Sequence, residues 1–147
     1  MALRKFVPTD TPEIHRIYNA SKLDELRGEA REFSLLPLYQ DQKRSQALWE
    51  SDIYVYEQDI ILGYGALHCN EVRALFVDPG SRGLGIGMCL LGHMLGQING
   101  TGILYVAASN AAAIRLYERY GFSIAETFLT DYNGVPVNAH RMVRSGS

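Results

Sequence analysis

The chain has 147 residues, of which 47% are hydrophobic and 20% are charged. This length and composition predict one globular domain over residues 1–147 and exclude a disordered or fibrous chain. The formal net charge of −2 gives no attraction to nucleic acid or to an anionic membrane, so we expect neither as a partner.

The two cysteines, Cys69 and Cys89, exclude a disulfide framework because they are too few for one. Their spacing does not suit a metal site, so we expect no metal and interpret both as small buried hydrophobic residues. The N-terminus lacks a signal-peptide pattern, and the longest apolar runs are only of strand length. The prediction is a cytoplasmic protein without a membrane span.

The first half of the chain contains a short strand over residues 3–7 and two predicted helices. Residues 10–13, Asp-Thr-Pro-Glu, combine an N-cap, a first-turn proline and an acidic residue, so a helix should begin there. A second helix is expected over residues 37–50. The predicted buried stripe of the first helix is Ile14, Ile17 and Tyr18. The predicted core contacts of the second are Leu38, Leu48 and Trp49.

The segment between these helices, residues 22–32, carries both charge signs. Its acidic side chains are Asp24, Glu25, Glu29 and Glu32, and its basic ones are Lys22, Arg27 and Arg31. Acidic residues could attract a cationic amine, but such interleaving is more typical of a solvated face. We therefore expect a solvated connection.

The second half of the chain begins with strands and ends with a hairpin. Strands over residues 53–56, 60–68 and 72–77 are joined by short turns, which predicts an antiparallel meander. A helix over 83–98, a strand over 103–106 and a helix over 111–120 predict a right-handed crossover. Strands from residue 122 onward and over 135–143 should pair around Asn133-Gly134. The fold class is α+β, with a mixed sheet of six to seven strands and about four helices.

A glycine-rich loop lies between the third strand and the next helix. Residues 77–87 read Val-Asp-Pro-Gly-Ser-Arg-Gly-Leu-Gly-Ile-Gly. Free backbone N–H groups and the positive end of the helix dipole suit a phosphate, and glycines let it approach closely. Met88 breaks the dinucleotide fingerprint, and the absence of lysine after Lys43 excludes a Walker loop. Close packing of a helix on the sheet is the alternative explanation of the glycines.

Residues 75–91, which contain this loop, resemble the acetyl-coenzyme A (acetyl-CoA) motif of the GNAT N-acetyltransferases, Arg/Gln-x-x-Gly-x-Gly/Ala after a strand. Residues 110–122 resemble a later segment of the same family, Asn-x-x-Ala-x-x-Leu/Phe-Tyr-x-Lys/Arg-x-Gly-Phe. The second match lies one strand and one helix downstream of the first, as the family requires. The likeness covers nearly the whole chain and implies the GNAT fold.

The resemblance implies acetyl-CoA as the co-substrate. The loop backbone would hold its pyrophosphate, and the splayed strand before the loop would pair with its pantetheine arm. The residues that the resemblance assigns to cofactor binding are Phe76, Val77, Arg82, Gly83, Leu84, Gly85, Ile86, Gly87 and Asn110.

Acetyl transfer to an amine needs a proton donor for the leaving thiolate and an acceptor for the amine proton. Tyr117 is the donor by its place in the second motif, because a phenol of pKa about 10 is protonated at pH 7 and a thiol has a pKa of about 8.5. Glu71, at the start of the strand that leads into the loop, is the candidate base. His68, one turn away, is the alternative base.

The predicted function is N-acetyltransfer from acetyl-CoA to a primary amine of a small molecule or peptide, by direct attack. Two alternatives stay open, a non-catalytic sensor that binds acyl-CoA and a transferase for another acyl group. Homodimerisation is common in the family, but no residue pattern here decides it.

Overall fold

The computed structural model describes residues 2–146 and contains a mixed sheet of seven strands. The strands are β1 (Leu3–Lys5), β2 (Asp52–Gln58), β3 (Ile60–His68), β4 (Glu71–Val77), β5 (Gly102–Ala107), β6 (Ser123–Tyr132) and β7 (Val135–Arg144). The α-helices within residues 2–146 are α1 (Thr11–Ser21), α2 (Gln42–Trp49), α3 (Ile86–Leu95) and α4 (Ala111–Arg119). The predicted class and element count are confirmed.

The strand order is β1-β2-β3-β4-β5-β7-β6. β2, β3 and β4 form the predicted antiparallel meander, and β5 lies parallel to β4 because α3 crosses between them. β6 and β7 form the predicted hairpin, with Tyr132 opposite Val135. Asn133 and Gly134 both have positive φ, at 50° and 79°, which is the conformation of a two-residue hairpin turn.

Two hydrophobic clusters cover opposite faces of the sheet. Neighbouring strand residues point to opposite faces, and accordingly Tyr54 belongs to one cluster whereas Ile53 and Val55 belong to the other. α1 and α2 pack on the face of Val55, and α3 and α4 pack on the face of Tyr54. A smaller third cluster joins Leu26, Tyr132 and Val137.

The second helix differs from its prediction, since it begins at Gln42 and not near residue 37. Residues Leu38–Gln40 form a short 3-10 turn, and Asp41 has ψ of 87°, which interrupts the helical path. The Asp41 carboxylate then accepts the backbone N–H of Arg44 at 3.2 Å and caps α2. Trp49, expected in the core, is 39% exposed and contacts Phe6 at the surface.

Both cysteines are exposed, so the expectation that they are buried is wrong. Cys69 lies in the β3–β4 turn with φ of 56°, where no core is within reach. Cys89 is on the outward side of α3, whose buried residues are Ile86, Leu90, Leu91, Met94 and Leu95.

The third helix is shorter than predicted at its start. Gly83 and Gly85 have left-handed φ values of 81° and 80°, which interrupt the helical path until α3 begins at Ile86. The buried Ile86 side chain anchors the start of the helix to the core. The glycine-rich segment is therefore a true loop that leads into a helix N-terminus.

Candidate active site

Strands β4 and β5 separate soon after they start. Parallel pairing joins Glu71 to Ile103 and Val72 to Leu104. Within residues 2–146 the remainder of β4, residues 73–77, pairs only with β3. Its outer edge is open to accept hydrogen bonds from an extended ligand, as the resemblance requires at Phe76 and Val77. At Val77 the carbonyl also accepts a long bond of 3.4 Å from the Ser21 hydroxyl.

The glycine loop has the shape of an anion cradle. A Cβ added to Gly83 or Gly85 would meet no atom within 4 Å, so both face open space. The backbone N–H groups of the first turn of α3 lie beside this space, at the positive end of the helix dipole. Leu84 is exposed, and a Cβ added to Gly87 would lie 3.8 Å from the side chains of Leu116 and Val77. These features fit a diphosphate.

Arg82 does not point into free solvent. Its Nη2 forms an ion pair with the Asp24 carboxylate at 2.7 Å, and Asp24 also pairs with Arg27 at 2.8 Å. Asp24 lies in the 3-10 turn Lys22–Leu26, which follows α1. The turn therefore touches the glycine loop, a contact that the sequence did not indicate.

A cavity of about 530 Å³ lies where the strands separate. Four predicted site residues line it, namely Glu71, Phe76, Asn110 and Tyr117. Val77 and residues 82–87 lie outside this cavity, because they continue along the open edge of β4 to the surface. The sequence-predicted site thus divides into a reaction cavity and a loop beyond it.

Tyr117 is buried on α4, and its ring packs edge-on against Phe122 with centroids 6.0 Å apart. Burial raises the pKa of Tyr117 well above the usual value, and the negative charge of Glu25 raises it further. The phenol keeps its proton at neutral pH.

Asn110 caps α4, because its side-chain oxygen accepts the backbone N–H of Ala113 at 3.3 Å. This is the local role that its position predicts. The same residue lines the cavity.

Glu71 lines the cavity and accepts a hydrogen bond from Nε of Arg73 at 3.2 Å. Arg73 also pairs with Glu50, so two carboxylates share one guanidinium. His68 lies opposite Glu71 in the β3–β4 register but is absent from the cavity wall. Of the two candidate bases, only Glu71 reaches the cavity.

The cavity wall also contains residues that the sequence did not single out for the site, among them Tyr18, Lys22, Glu25, Tyr64 and Tyr132. The expectation that residues 22–32 form only a solvated face is therefore wrong for two of them, since the side chain of Lys22 is 12% exposed and that of Glu25 is 22% exposed. No local pattern could have joined Tyr18, Lys22 and Glu25 to Tyr64 and Tyr132, because these two lie far along the chain from the other three.

The hydroxyls of Tyr18 and Tyr64 are buried without a hydrogen-bond partner in residues 2–146. Burial raises the pKa of both phenols. Both rings pack against Phe76, with centroids 5.2 Å and 5.5 Å away. This aromatic wall stands beside the open strand edge.

Residues 2–146 contain no group of three His, Cys, Asp or Glu side chains placed to hold a metal ion. The helices in the same residues are all too short or too polar to cross a membrane.

Curated relatives match part of the chain. The mycothiol acetyltransferase of Streptomyces avermitilis is 46% identical over 63 residues, which are 40% of this chain and 20% of that protein. The enzyme of the same name from Mycobacteroides abscessus is 44% identical over 61 residues, 39% of this chain and 21% of that protein. The chain therefore matches about a fifth of the length of these relatives.

Solved structures match nearly the whole chain. The ribosomal-protein-alanine N-acetyltransferase of Brucella melitensis has a TM-score of 0.74 and 21% identity, with 99% of both chains covered. A GNAT phosphinothricin acetyltransferase of Sinorhizobium meliloti in complex with acetyl-CoA has a TM-score of 0.73 and 21% identity, covering 99% of this chain and 88% of that one. These likenesses establish the fold.

The family model described as an acetyltransferase (GNAT) domain matches residues 49–124, which is just over half of the chain and includes the open strand, the glycine loop and Tyr117. The chain belongs to the GNAT acetyltransferase family.

Proposed function

We propose that this chain is an N-acetyltransferase that moves an acetyl group from acetyl-CoA to the primary amine of a small molecule or peptide by direct attack. One observation carries the proposal: the buried Tyr117 lines the same cavity as the open stretch of β4, which leads into the glycine loop. A proton donor and a binding strand for an extended thioester then meet at one place. The acetyl-CoA complex of a GNAT neighbour supports the choice of donor.

The donor would lie along the open edge of β4. The backbone of Phe76 and Val77 would pair with its amide groups, Asn110 would bind it from α4, and the loop of residues 82–87 would hold its phosphates. When bound, acetyl-CoA supplies the reactive thioester at the cavity end of this path. Its acyl group would face Tyr117, and its nucleotide end would lie at the surface.

Tyr117 would act as the general acid. As the amine nitrogen bonds to the acetyl carbon and the carbon–sulfur bond breaks, the phenol gives its proton to the departing sulfur. Water then restores the proton to Tyr117. The raised pKa of Tyr117 favours the protonated form that this step requires.

Glu71 would receive the proton that the amine loses. An alkylamine of pKa about 10.4 is neutral in only about one molecule in 2,500 at pH 7, so a base near the amine is useful. Glu71 is preferred over His68 because it lines the cavity.

Two alternatives keep the family but change the activity. A sensor would bind acyl-CoA without turnover, and the cavity with its buried phenol argues against it because binding alone needs no acid. A larger donor such as propionyl- or succinyl-CoA would use the same loop and strand.

The proposal also places the chain in the cytoplasm as one domain over residues 1–147, without a metal, nucleic-acid or membrane partner, and leaves homodimerisation open.

Isothermal titration and a thiol-release assay test the proposal together. We expect acetyl-CoA to bind and free thiol to appear when a panel of primary amines is added. No acetyl-CoA binding at hundreds of micromolar would overturn the proposal. Binding without thiol release for any amine would favour the sensor, and tighter binding of propionyl- or succinyl-CoA would favour another acyl group.

A further inference from the structure

The ammonium group of Lys22 is enclosed in the wall of the reaction cavity. Its Nζ lies 5.9 Å from the ring centroid of Tyr18 and 5.4 Å from that of Tyr132. It donates to Oε1 of Glu25 at 2.5 Å. Two aromatic faces and one carboxylate are the usual elements of an ammonium site, because the rings stabilise the cation and the carboxylate neutralises it.

The ammonium cage consists of Tyr18, Tyr132 and Glu25. Its two rings are held in place without the help of Lys22, since the Tyr132 hydroxyl accepts the backbone N–H of Leu36 at 2.9 Å and Tyr18 is buried on α1. The carboxylate of Glu25 has Lys22 as its ion-pair partner, but the backbone carbonyl of Glu25 accepts the hydroxyl of Ser109 at 2.7 Å. The fold therefore holds the two rings and the backbone of Glu25 in place if Lys22 moves out.

The cage belongs to the same cavity as the proposed acid. Tyr18, Glu25, Tyr132 and Tyr117 all line it. Glu25 is close enough for its charge to act on the Tyr117 phenol. A group bound in the cage would therefore lie in the reaction cavity.

We propose that Tyr18, Tyr132 and Glu25 form the ammonium subsite for the acceptor, and that the acceptor is a primary amine on an unbranched alkyl chain. Lys22 occupies this subsite until such an amine displaces it. The inference rests on the proposed function for its role in catalysis, but ammonium binding itself does not. The Lys22 side chain, an ammonium group on an unbranched alkyl chain, shows the size and charge of the group that fits the subsite.

Glu25 favours a monocation over an anion at the position of the Lys22 ammonium, although the cavity wall also carries the basic side chains of Lys43, Arg44 and Arg73. Arg44 also faces the Tyr132 ring, at 5.0 Å, but its guanidinium is paired with Asp41 at 3.0 Å. Asp131 contributes a further acidic side chain to the cavity wall. Without the ammonium of Lys22, Glu25 would be left without its ion-pair partner. A carboxylate would meet repulsion at this position, whereas an alkylammonium would restore the pair.

The test uses n-butylammonium as the probe and n-butanol as its uncharged control. Lys22→Ala opens the cage, so we expect it to bind n-butylammonium at least about tenfold more tightly than the wild-type protein does, by calorimetry or thermal shift. Lys22→Ala/Glu25→Gln should lose this gain. Equal binding of n-butanol, or no gain in Lys22→Ala, would overturn the inference.

A second variant covers the case in which Lys22→Ala does not fold. Glu25→Gln in the otherwise unchanged chain should raise the KM for n-butylamine at least about fivefold and leave the Kd of acetyl-CoA unchanged. An unchanged KM would overturn the inference. If acetyl-CoA fails to bind while Lys22→Ala binds n-butylammonium, the cage stands and the acetyltransferase proposal falls. If acetyl-CoA binds while Lys22→Ala shows no gain in n-butylammonium binding, the acetyltransferase proposal stands and the cage falls.

Discussion

The carboxylate of Asp24 lies 2.7 Å from Nη2 of Arg82 and ties the turn after α1 to the glycine loop. Arg82 is the side chain proposed to meet the pyrophosphate of acetyl-CoA. Asp24 and the phosphate would then compete for the same guanidinium. Because Asp24 belongs to the turn that also carries Lys22 and Glu25, this ion pair connects the donor loop to the reaction cavity.

Asp24→Asn should tighten acetyl-CoA binding. The gain should be up to about fivefold, since a partly exposed ion pair contributes at most about 1 kcal/mol. Calorimetric titration measures it. Arg27→Gln is the matched control, because it removes the other partner of Asp24 without touching the loop, and its Kd should stay the same. Weaker binding by Asp24→Asn would mean that the carboxylate positions Arg82 for the phosphate.

Tyr117→Phe should lower kcat by about 10²- to 10⁴-fold, the usual contribution of a general acid. The variant keeps the ring and its packing on Phe122, so the Kd of acetyl-CoA should be the same as in the wild-type protein. Tyr120→Phe is the control on the next turn of the chain, where the hydroxyl bonds to the carbonyl of Met88 outside the cavity. A wild-type kcat for Tyr117→Phe would exclude Tyr117 as the acid.

Glu71→Gln should lower kcat across the pH range by about 10²- to 10⁴-fold, because no carboxylate is left to accept the amine proton. A pH–rate profile is the measurement. Glu50→Gln serves as the control, since Glu50 is the other carboxylate on Arg73 and does not line the cavity. An unaltered profile in Glu71→Gln would assign proton removal to another group or to water.

Gly85→Ala should destabilise the protein and abolish detectable acetyl-CoA binding. The residue has φ of 80°, and the left-handed conformation costs a residue with Cβ about 1–2 kcal/mol. Its Cβ would also enter the space assigned to the phosphate. Gly134→Ala has nearly the same φ, 79°, in the β6–β7 turn. Gly134→Ala should lose the same free energy of unfolding in urea as Gly85→Ala and keep the wild-type Kd for acetyl-CoA. If the two variants bound acetyl-CoA equally well, the phosphate assignment would be contradicted.

The pair Arg4–Asp10 should make stability fall in acid. Asp10 is buried and accepts both Nη groups of Arg4, at 2.9 Å and 3.0 Å, which lower the pKa of its carboxyl below the usual 3.8. A carboxyl with a lowered folded-state pKa stabilises the protein above its unfolded-state pKa. That contribution is lost as pH falls through the folded-state value.

Asp10→Asn should therefore cost about 1.5–3 kcal/mol at neutral pH, and the difference from wild type should shrink below about pH 4. Urea unfolding across that range measures it. Glu57→Gln removes the second, more exposed partner of Arg4 and should cost at most about 1 kcal/mol. A pH-independent difference between Asp10→Asn and wild type would contradict the assigned pKa.

Local sequence chemistry predicted the features that depend on a few consecutive residues. Asn133-Gly134 predicted the hairpin because both residues tolerate positive φ, and Asn110 predicted the start of α4 because its side chain can cap the helix. The glycines of the loop indicated a phosphate site, but the helix was expected from residue 83 and begins only at Ile86. The family motifs then located Tyr117.

The tertiary structure decided which side chains share the cavity. Trp49 and the cysteines were expected inside and lie at the surface, whereas Lys22 and Glu25 were expected in solvent and line the cavity. The physical reason is distance along the chain. Tyr18 and Tyr132 are brought to one ammonium group because the turn after α1 packs on the far hairpin, where Leu26 joins Tyr132 and Val137. The free energy of this packing is summed over the whole core, so no window of consecutive residues contains it.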